Sequence, residues 1–348
     1  MMTAAKVSIC LPVLNGIDYL APRMESLICQ SFEDWELIVA DSFSDDGSWE
    51  YLQTFKNDPR VRLYQIPKEG IYPAWNFCIE QARGDYLYIA TADDTADTQL
   101  IERLSELLDR FTDVSIATCA FDYIDENGAI LREAGSFGGR FYGADLDRAH
   151  RRPGLMEFLV HSFFGPSWTT ITSVLFRRSI FEQVGLFRCD LGPYADNFWA
   201  RLAALESDTL YIPERLATWR IHPQQRSRGR SSQHTTAKAM AGAAVLSTVE
   251  DRLPAEWKAL PHWRKTLLQT DWNEYFGQFN LYRHKLRSHP SAFMLGLLSA
   301  LGRNPAYVAQ QLCKGFPAAP NSNLEDEVRI IEQFCQLVKP ALRVEELA

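Results

Sequence analysis

The chain has 348 residues, 46% hydrophobic and 23% charged, with a formal net charge of −8 at pH 7. That length allows one large domain or a domain with an appendage, and the composition is that of an ordinary globular protein. The acidic balance argues against broad nucleic-acid binding, and seven scattered cysteines without metal-ligand spacing read as reduced, mostly buried thiols of a reducing compartment.

No secretory pattern opens the chain at Met1–Lys6. Val7–Leu11 predicts a short buried strand, and Ile17, Leu20, Met24, Leu27 and Ile28 recur at helical spacing. Trp35–Ala40 predicts a second strand, Asp46 to about Phe55 a helix, and Val61–Ile66 a third strand. Gly70–Gln81 is a helix stopped at Arg83-Gly84, and a fourth strand follows at Asp85–Ala90. Leu100, Ile101, Leu104, Leu107 and Leu108 form the apolar stripe of the next helix. Val114–Ala120 is a fifth strand, followed by a hairpin of Phe121–Ile124 and Ala129–Leu131 about Glu126-Asn127-Gly128. Residues 134–154, rich in Gly, Arg and Asp, predict a mobile loop. Ile171–Phe176 is a strand, Arg178–Val184 a helix closed by Gly185, Asp196 to about Glu206 a helix, and Arg215–Ile221 a late strand. Helical patterns then run from about 231 to the end, with a break at Leu253-Pro254. The alternation over the first 120 residues implies a mostly parallel sheet covered on both faces. No run reaches the ~20 apolar residues of a membrane span. Ala292–Leu298 is short enough to be a core helix or a segment lying on a membrane surface.

In an open parallel sheet, ligands gather beyond the carboxyl ends of the strands. Four groups of residues fall there: Pro12-Val13-Leu14-Asn15, Asp41–Ser48, Lys68-Glu69-Gly70 and Thr91-Ala92-Asp93-Asp94. Each has a bland reading, with Asn15, Asp46, Asp93 and Asp94 as helix caps and Gly70 as a turn residue. Two adjacent carboxylates ending a buried strand nevertheless call for pairing or a metal. Oxygen ligands of that kind suit Mg²⁺ or Mn²⁺.

In this combination and order, residues 7–48 resemble the opening of the family 2 glycosyltransferases: an apolar strand, Pro-x-x-Asn, a helix, a second strand, then Asp41-x-x-Ser44-x-Asp46-Gly47-Ser48. The resemblance continues through Ala74, Asn76 and Gly84-Asp85-Tyr86, the twin aspartates, Val174–Arg178, Val184–Phe187 and Arg220-Ile221-His222, over about 225 residues. Two residues depart from the family pattern. Leu14 replaces an aromatic, and Thr91 replaces the first Asp of an Asp-x-Asp metal motif.

The resemblance implies a GT-A type, Rossmann-like α/β fold with a helical C-terminal extension. Residues 1–230 would form the catalytic domain, divided into a nucleotide-binding half (about 1–120) and an acceptor half (about 121–230), with 231–348 a helical region. It implies an inverting transferase that uses a nucleotide-diphosphate sugar, expected to be a UDP-sugar, with Mn²⁺ or Mg²⁺. Pro12, Leu14, Asn15, Asp41, Ser44, Lys68, Thr91, Ala92 and Arg220 would bind the donor, and Asp93, Asp94 and His222 the metal, unless Asp94 only helps orient Asp93. Asp196, in Asp196-Asn197-Phe198-Trp199-Ala200-Arg201, would be the general base, unless it only caps its helix. Trp168 would stack on an acceptor sugar or pack in the core. Arg220 and the Arg226/Arg228/Arg230 run would clamp pyrophosphate or, for the run, form a solvated loop. The acceptor would be a glycan or lipid-linked hydroxyl. The expected setting is cytoplasmic, peripheral at the inner face of the plasma membrane, in bacterial surface-polysaccharide synthesis. The C-terminal region would cover the acceptor, form a homodimer contact or touch the membrane. Two other readings stay open: a catalytically silent nucleotide-sugar-binding protein, and a nucleotidyltransferase, although residues 12–15 lack the Gly-rich loop of the latter.

Overall fold

The computed structural model describes residues 5–131, 139–223, 232–268 and 324–347. Its centre is a nine-stranded sheet: β1 (Val7–Val13), β2 (Trp35–Asp41), β3 (Val61–Gln65), β4 (Tyr86–Ile89), β5 (Ile116–Ile124), β6 (His150–Arg152), β7 (Val174–Arg177), β8 (Thr209–Arg220) and β9 (Glu345–Glu346). The order is β3-β2-β1-β4-β7-β5-β8-β6-β9. β1 pairs in parallel with β2 and β4, β2 with β3, and β5 with β8. β7 lies antiparallel between β4 and β5, so all six of β1–β5 and β8 point the same way.

Alternation along the strands divides the core into two layers. Val7, Ile9 and Leu11 face Leu20, Met24 and Leu27 of α1 (Ile17–Ile28), together with Leu100, Ile101 and Leu104 of α4 (Leu100–Arg110). Helix α2 (Ser48–Gln53) adds Leu52 to that layer. Cys10, Ile38 and Ile89 face the other layer, built from α3 (Ile71–Gln81), α6 (Gly154–Phe164) and α8 (Ala195–Glu206). Gly84 must be glycine: a Cβ there would sit 2.7 Å from the Ser8 amide nitrogen.

Residues 139–152, expected to be a mobile loop, instead form α5 (Gly139–Tyr142), a 3-10 turn (Gly143–Asp147) and β6. Helix α6 was not foreseen; its apolar residues are buried nearly all round, which erases the one-sided periodicity that marks a surface helix. The expected fifth strand and the first arm of the hairpin are one strand, β5, with its turn closed by Asp125 N–H to the Ala129 carbonyl (2.9 Å). Helix α7 (Ser179–Val184) ends at Gly185 as the sequence implies.

Beyond residue 231 come α9 (Ser232–Val249), α10 (Ala255–Lys258), α11 (Trp263–Leu267) and α12 (Leu324–Leu337). Trp257 packs edge-on against Phe334 (5.4 Å), and β9 returns to pair with β6. Arg226, Arg228, Arg230 and Ala292–Leu298 lie outside the described residues. Among the described residues, no helix is long and apolar enough to cross a membrane.

Strand β6 also carries a pH-sensitive element. Arg152 Nε donates to His150 Nε2 (2.8 Å), so the imidazole is neutral, with its Nδ1 proton directed to the Arg148 carbonyl (2.9 Å). Burial and the Arg152 charge push the His150 pKa down to about 4. A histidine in the unfolded chain protonates near 6.5. The His150 contribution is therefore fully present above pH 6.5 and is lost as pH falls toward 4, by ~3 kcal/mol. Urea midpoints of wild type and His150→Gln at pH 7 and pH 5 check this. The variant should lose less stability on acidification, and equal losses would contradict the assignment.

Candidate functional site

Because six strands share a direction, the residues after Val13, Asp41, Gln65, Ile89, Ile124 and Arg220 gather on one edge. Side chains stitch the first two loops together. Asn15 N–H donates to Ser44 Oγ (2.9 Å), Asn15 Nδ2 to Asp45 Oδ1 (2.8 Å), and Asp45 N–H back to Asn15 Oδ1 (3.0 Å). Asp46 takes the Ile17 N–H (3.0 Å) and Gly16 donates to Ser48 Oγ (3.0 Å), so the second loop caps the start of α1. Asn15 and Ser44 therefore shape the edge by binding each other. Gly16 also abuts Ala92 of the fourth loop.

Asp41 is fully buried. Its Oδ2 accepts from Ser44 N–H (3.1 Å) and Gln65 Nε2 (3.4 Å), while Oδ1 has no partner among the described residues. A buried carboxylate oxygen left unpaired is costly, and a ligand N–H would relieve it. Pro12 is buried in β1 opposite Ala40, Leu14 is 39% exposed, and Lys68 is exposed on the loop after β3. Beside Asp41 stands Phe43, 57% exposed, with its backbone at φ 51°. The left-handed region costs a bulky residue ~1 kcal/mol, and such strain concentrates at ligand-binding positions. The only trace of Phe43 in the sequence is an aromatic in an otherwise polar loop.

The fourth loop is bound to the end of β8. Arg220 N–H donates to Asp94 Oδ1 (2.8 Å), and Arg220 Nε to the Asp93 carbonyl (2.6 Å). Thr91 (2.8 Å) and Thr172 (3.2 Å) donate their hydroxyls to Asp94 Oδ2. Asp94 is 3% exposed, and burial beside Asp93 raises its pKa to about 6. Both of its oxygens are engaged, so Asp94 is a brace and not the open metal ligand expected of it. Thr91 spends its hydroxyl on that brace. Arg220 differs from expectation in the same way: it is 3% exposed, its Nη1 donates to the Asp125 (2.9 Å) and Glu126 (3.2 Å) carbonyls, and its guanidinium lies 4.9 Å from the Tyr19 ring. It ties three loops together where a pyrophosphate clamp was expected. Neither Tyr19 nor Thr172 is marked in the sequence.

Asp93 is the accessible carboxylate, with its side chain 30% exposed. Its Oδ2 lies 3.1 Å from His222 Nε2, and His222 Nδ1 is buried without a partner among the described residues. Neighbouring ligands of an octahedral ion bonded at 2.0–2.1 Å lie about 3 Å apart. The Asp93–His222 spacing therefore fits two ligands of one dication. No group of three His, Cys, Asp or Glu able to hold a metal occurs among the described residues, so water or substrate oxygens would complete the shell.

Asp196 sits in the first turn of α8, where Asn197 N–H donates to its Oδ1 (2.7 Å). Burial pushes its carboxyl above the ordinary range, partly offset by that bond and by one from Tyr72. Tyr72 packs on Trp75 (5.6 Å), and Trp75 Nε1 donates to the Ala90 carbonyl (3.0 Å), one residue before Thr91. This chain of contacts ties the start of α8 to the loop that carries Asp93. Trp168, expected to stack on an acceptor, is 6% exposed and packs edge-on against His161 (4.7 Å) and Phe176 (6.1 Å). Its ring is held in place by these two contacts, in keeping with the core-packing reading.

A mixed α/β sheet with this edge defines a class, and comparison with known proteins identifies the family. Residues 8–185 match the model of glycosyl transferase family 2, and the chain belongs to that family. It is 27% identical over 215 residues to the glycosyltransferase GlyG of Streptococcus pneumoniae serotype 4, covering 60% of this chain and 70% of GlyG. The match spans as little as 20% of other relatives. Among solved structures it is similar to S. aureus TarS 1-349 in complex with UDP-GlcNAc (TM-score 0.62, 15% identity, 94% of this chain and 90% of that one). It is also similar to the mannosyltransferase PcManGT of Pyrobaculum calidifontis in complex with GDP-Man and Mn²⁺ (TM-score 0.51, 15% identity, 97% and 86%). These likenesses establish the GT-A fold.

Proposed function

We propose that this chain is an inverting glycosyltransferase that moves a sugar from a nucleoside-diphosphate donor, a UDP-sugar first among candidates, to a hydroxyl of a glycan or lipid-linked acceptor. The setting we assign is bacterial surface-polysaccharide synthesis at the inner face of the plasma membrane. The reading rests on one observation: Asp41, with its unpartnered oxygen, shares a sheet edge with the pair formed by accessible Asp93 and buried His222. The sugar nucleotides bound by TarS and PcManGT support it.

Asp41 Oδ1 accepts a ring N–H of the base, and Leu14 and Phe43 supply apolar surface to its faces. Asp93 and His222 would hold Mn²⁺ or Mg²⁺. When bound, such an ion offsets the charge that builds up on the departing diphosphate. Asp94, Thr91, Thr172 and Arg220 keep Asp93 in place. Asp196 takes the proton of the acceptor hydroxyl, which attacks the anomeric carbon from the face opposite the diphosphate and inverts it. The raised pKa of Asp196 suits a base that must hold this proton in the transition state.

Phe43→Gly tests the base contact. It should relieve backbone strain and stabilise the fold slightly, while weakening nucleoside-diphosphate binding by about tenfold, the scale of one aromatic–base stack. Affinity equal to wild type would remove Phe43 from the site. The activity itself is checked by incubation with a panel of nucleotide sugars and measurement of nucleoside-diphosphate release. One donor should be turned over with Mn²⁺ and none with EDTA. Turnover indifferent to EDTA would contradict the metal assignment, and binding without turnover of any donor would favour a silent binding protein.

A further inference from the structure

A cavity of ≈ 410 Å³, in the volume range of small-molecule sites, opens on the acceptor half, and none of its lining residues belongs to the four loops that follow β1 to β4. Its wall includes the place where β5 and β8 slip register around Ala120, an irregularity of the kind that proteins place beside binding sites. Arg152, Ser167, Trp168 and Tyr211 line it, with Asp147 and Arg215 among the remaining lining residues.

Arg152 is 1% exposed. Its guanidinium lies between two phenol rings, 4.0 Å from Tyr142 and 4.4 Å from Tyr211. Nε donates to His150 Nε2 (2.8 Å) and Nη1 to Ser167 Oγ (3.3 Å), both neutral acceptors. Among the described residues Nη2 has no partner, and no carboxylate oxygen lies within 4.0 Å of the group. Buried Glu157 is held by Tyr142, Ser167 and His161 (3.2 Å), and, against the cost of burial, the His161 and Arg152 groups beside it lower its pKa. The Trp168 indole N–H likewise has no hydrogen-bond partner among the described residues. The buried part of the cavity thus presents hydrogen-bond donors around a rigid cation. Asp147 is exposed, where solvent screens its charge, and Arg215 is paired with Asp122 (2.6 Å).

The Arg152 charge is shared with buried Glu157 through the Ser167 hydroxyl, but its Nη2 and the Trp168 indole N–H are left, among the described residues, as unpartnered donors at the cavity wall, and an anionic oxygen group satisfies both. We propose that this cavity is a binding site for a small organic anion, a carboxylate or phosphate group carried on a sugar-sized body and held through Arg152 Nη2. The apolar lining takes the body, and the guanidinium between its two rings takes the charge. The site is independent of the nucleotide loops.

The test is a thermal-shift series on the full chain with D-glucuronate, inorganic phosphate and neutral D-glucose, each at 10 mM. The variants are Arg152→Met and Ala120→Trp; the second fills the cavity without touching the buried charges. UDP with Mn²⁺ serves as a separate probe of the nucleotide site and of correct folding. Glucuronate or phosphate should raise the melting temperature of wild type by about 2–4 °C. Glucose should not, and Ala120→Trp should abolish the shift while responding to UDP like wild type. A response to glucuronate alone assigns the charge to a sugar acid, and one to phosphate alone to a phosphorylated ligand. No shift with either anion, an equal shift with glucose, or a shift that survives Ala120→Trp would overturn the proposal. Loss of the UDP response in wild type would instead count against the nucleotide reading alone.

Discussion

Asp196→Asn is expected to lower turnover by about 10²–10⁴-fold, the usual contribution of a positioned general base, with nucleoside-diphosphate affinity unchanged. Asparagine keeps the shape and can still accept the Asn197 N–H, so helix α8 should start as before. What is lost is the capacity to take a proton. The pH profile gives a second readout. Burial raises the Asp196 pKa, so its carboxyl protonates at a higher pH than an exposed aspartate. Activity in wild type should fall as pH drops through that raised value, and the residual activity of the variant should lack that limb. Near-normal turnover in Asp196→Asn would assign the base elsewhere.

Asp93→Ala is expected to cost about a thousandfold in turnover, equal to several kcal/mol of charge stabilisation at the leaving diphosphate. Stability should barely change. The side chain is 30% exposed, and its one hydrogen-bond partner among the described residues is His222. Asp94→Ala should behave in the opposite way. It would strip acceptors from Arg220 N–H, Thr91 and Thr172 in a buried setting and lower the melting temperature markedly. Side-by-side melting curves and rates separate the two adjacent acids. Equal melting losses in both variants would contradict the division into ligand and brace.

The sequence is most legible where burial is symmetric and the chain short-ranged. Strands β1, β2 and β4 are mostly apolar and buried throughout because helices cover both faces, and the loops after them carry turn and capping residues at readable spacing. Asp41, Asp93, His222 and Asp196 were proposed this way, with the family resemblance linking them, and the fold brings the first three to one sheet edge. The misses have a common cause, because they depend on partners distant in sequence. Asp94 and Arg220 look like a ligand and a clamp until the register of β8 places them against each other, 126 residues apart. Strand β6 reads as loop because His150 and Arg152 bury polar side chains in a network that no local pattern announces. Trp168 is the same residue type whether it faces a sugar or His161, and only its placement between α6 and β7 decides. Phe43 stands out through its backbone angle, which its neighbours in the chain do not encode.

Calorimetric titration of UDP into wild type and Asp93→Ala, each with Mn²⁺ and with EDTA, bears most directly on the claim that these loops hold a nucleoside diphosphate through one dication. Wild type should bind UDP at least tenfold more tightly with Mn²⁺, and Asp93→Ala should lose that enhancement while keeping the weaker, metal-independent binding that Asp41 provides. Identical isotherms with Mn²⁺ and EDTA in wild type, or an undiminished enhancement in the variant, would contradict it.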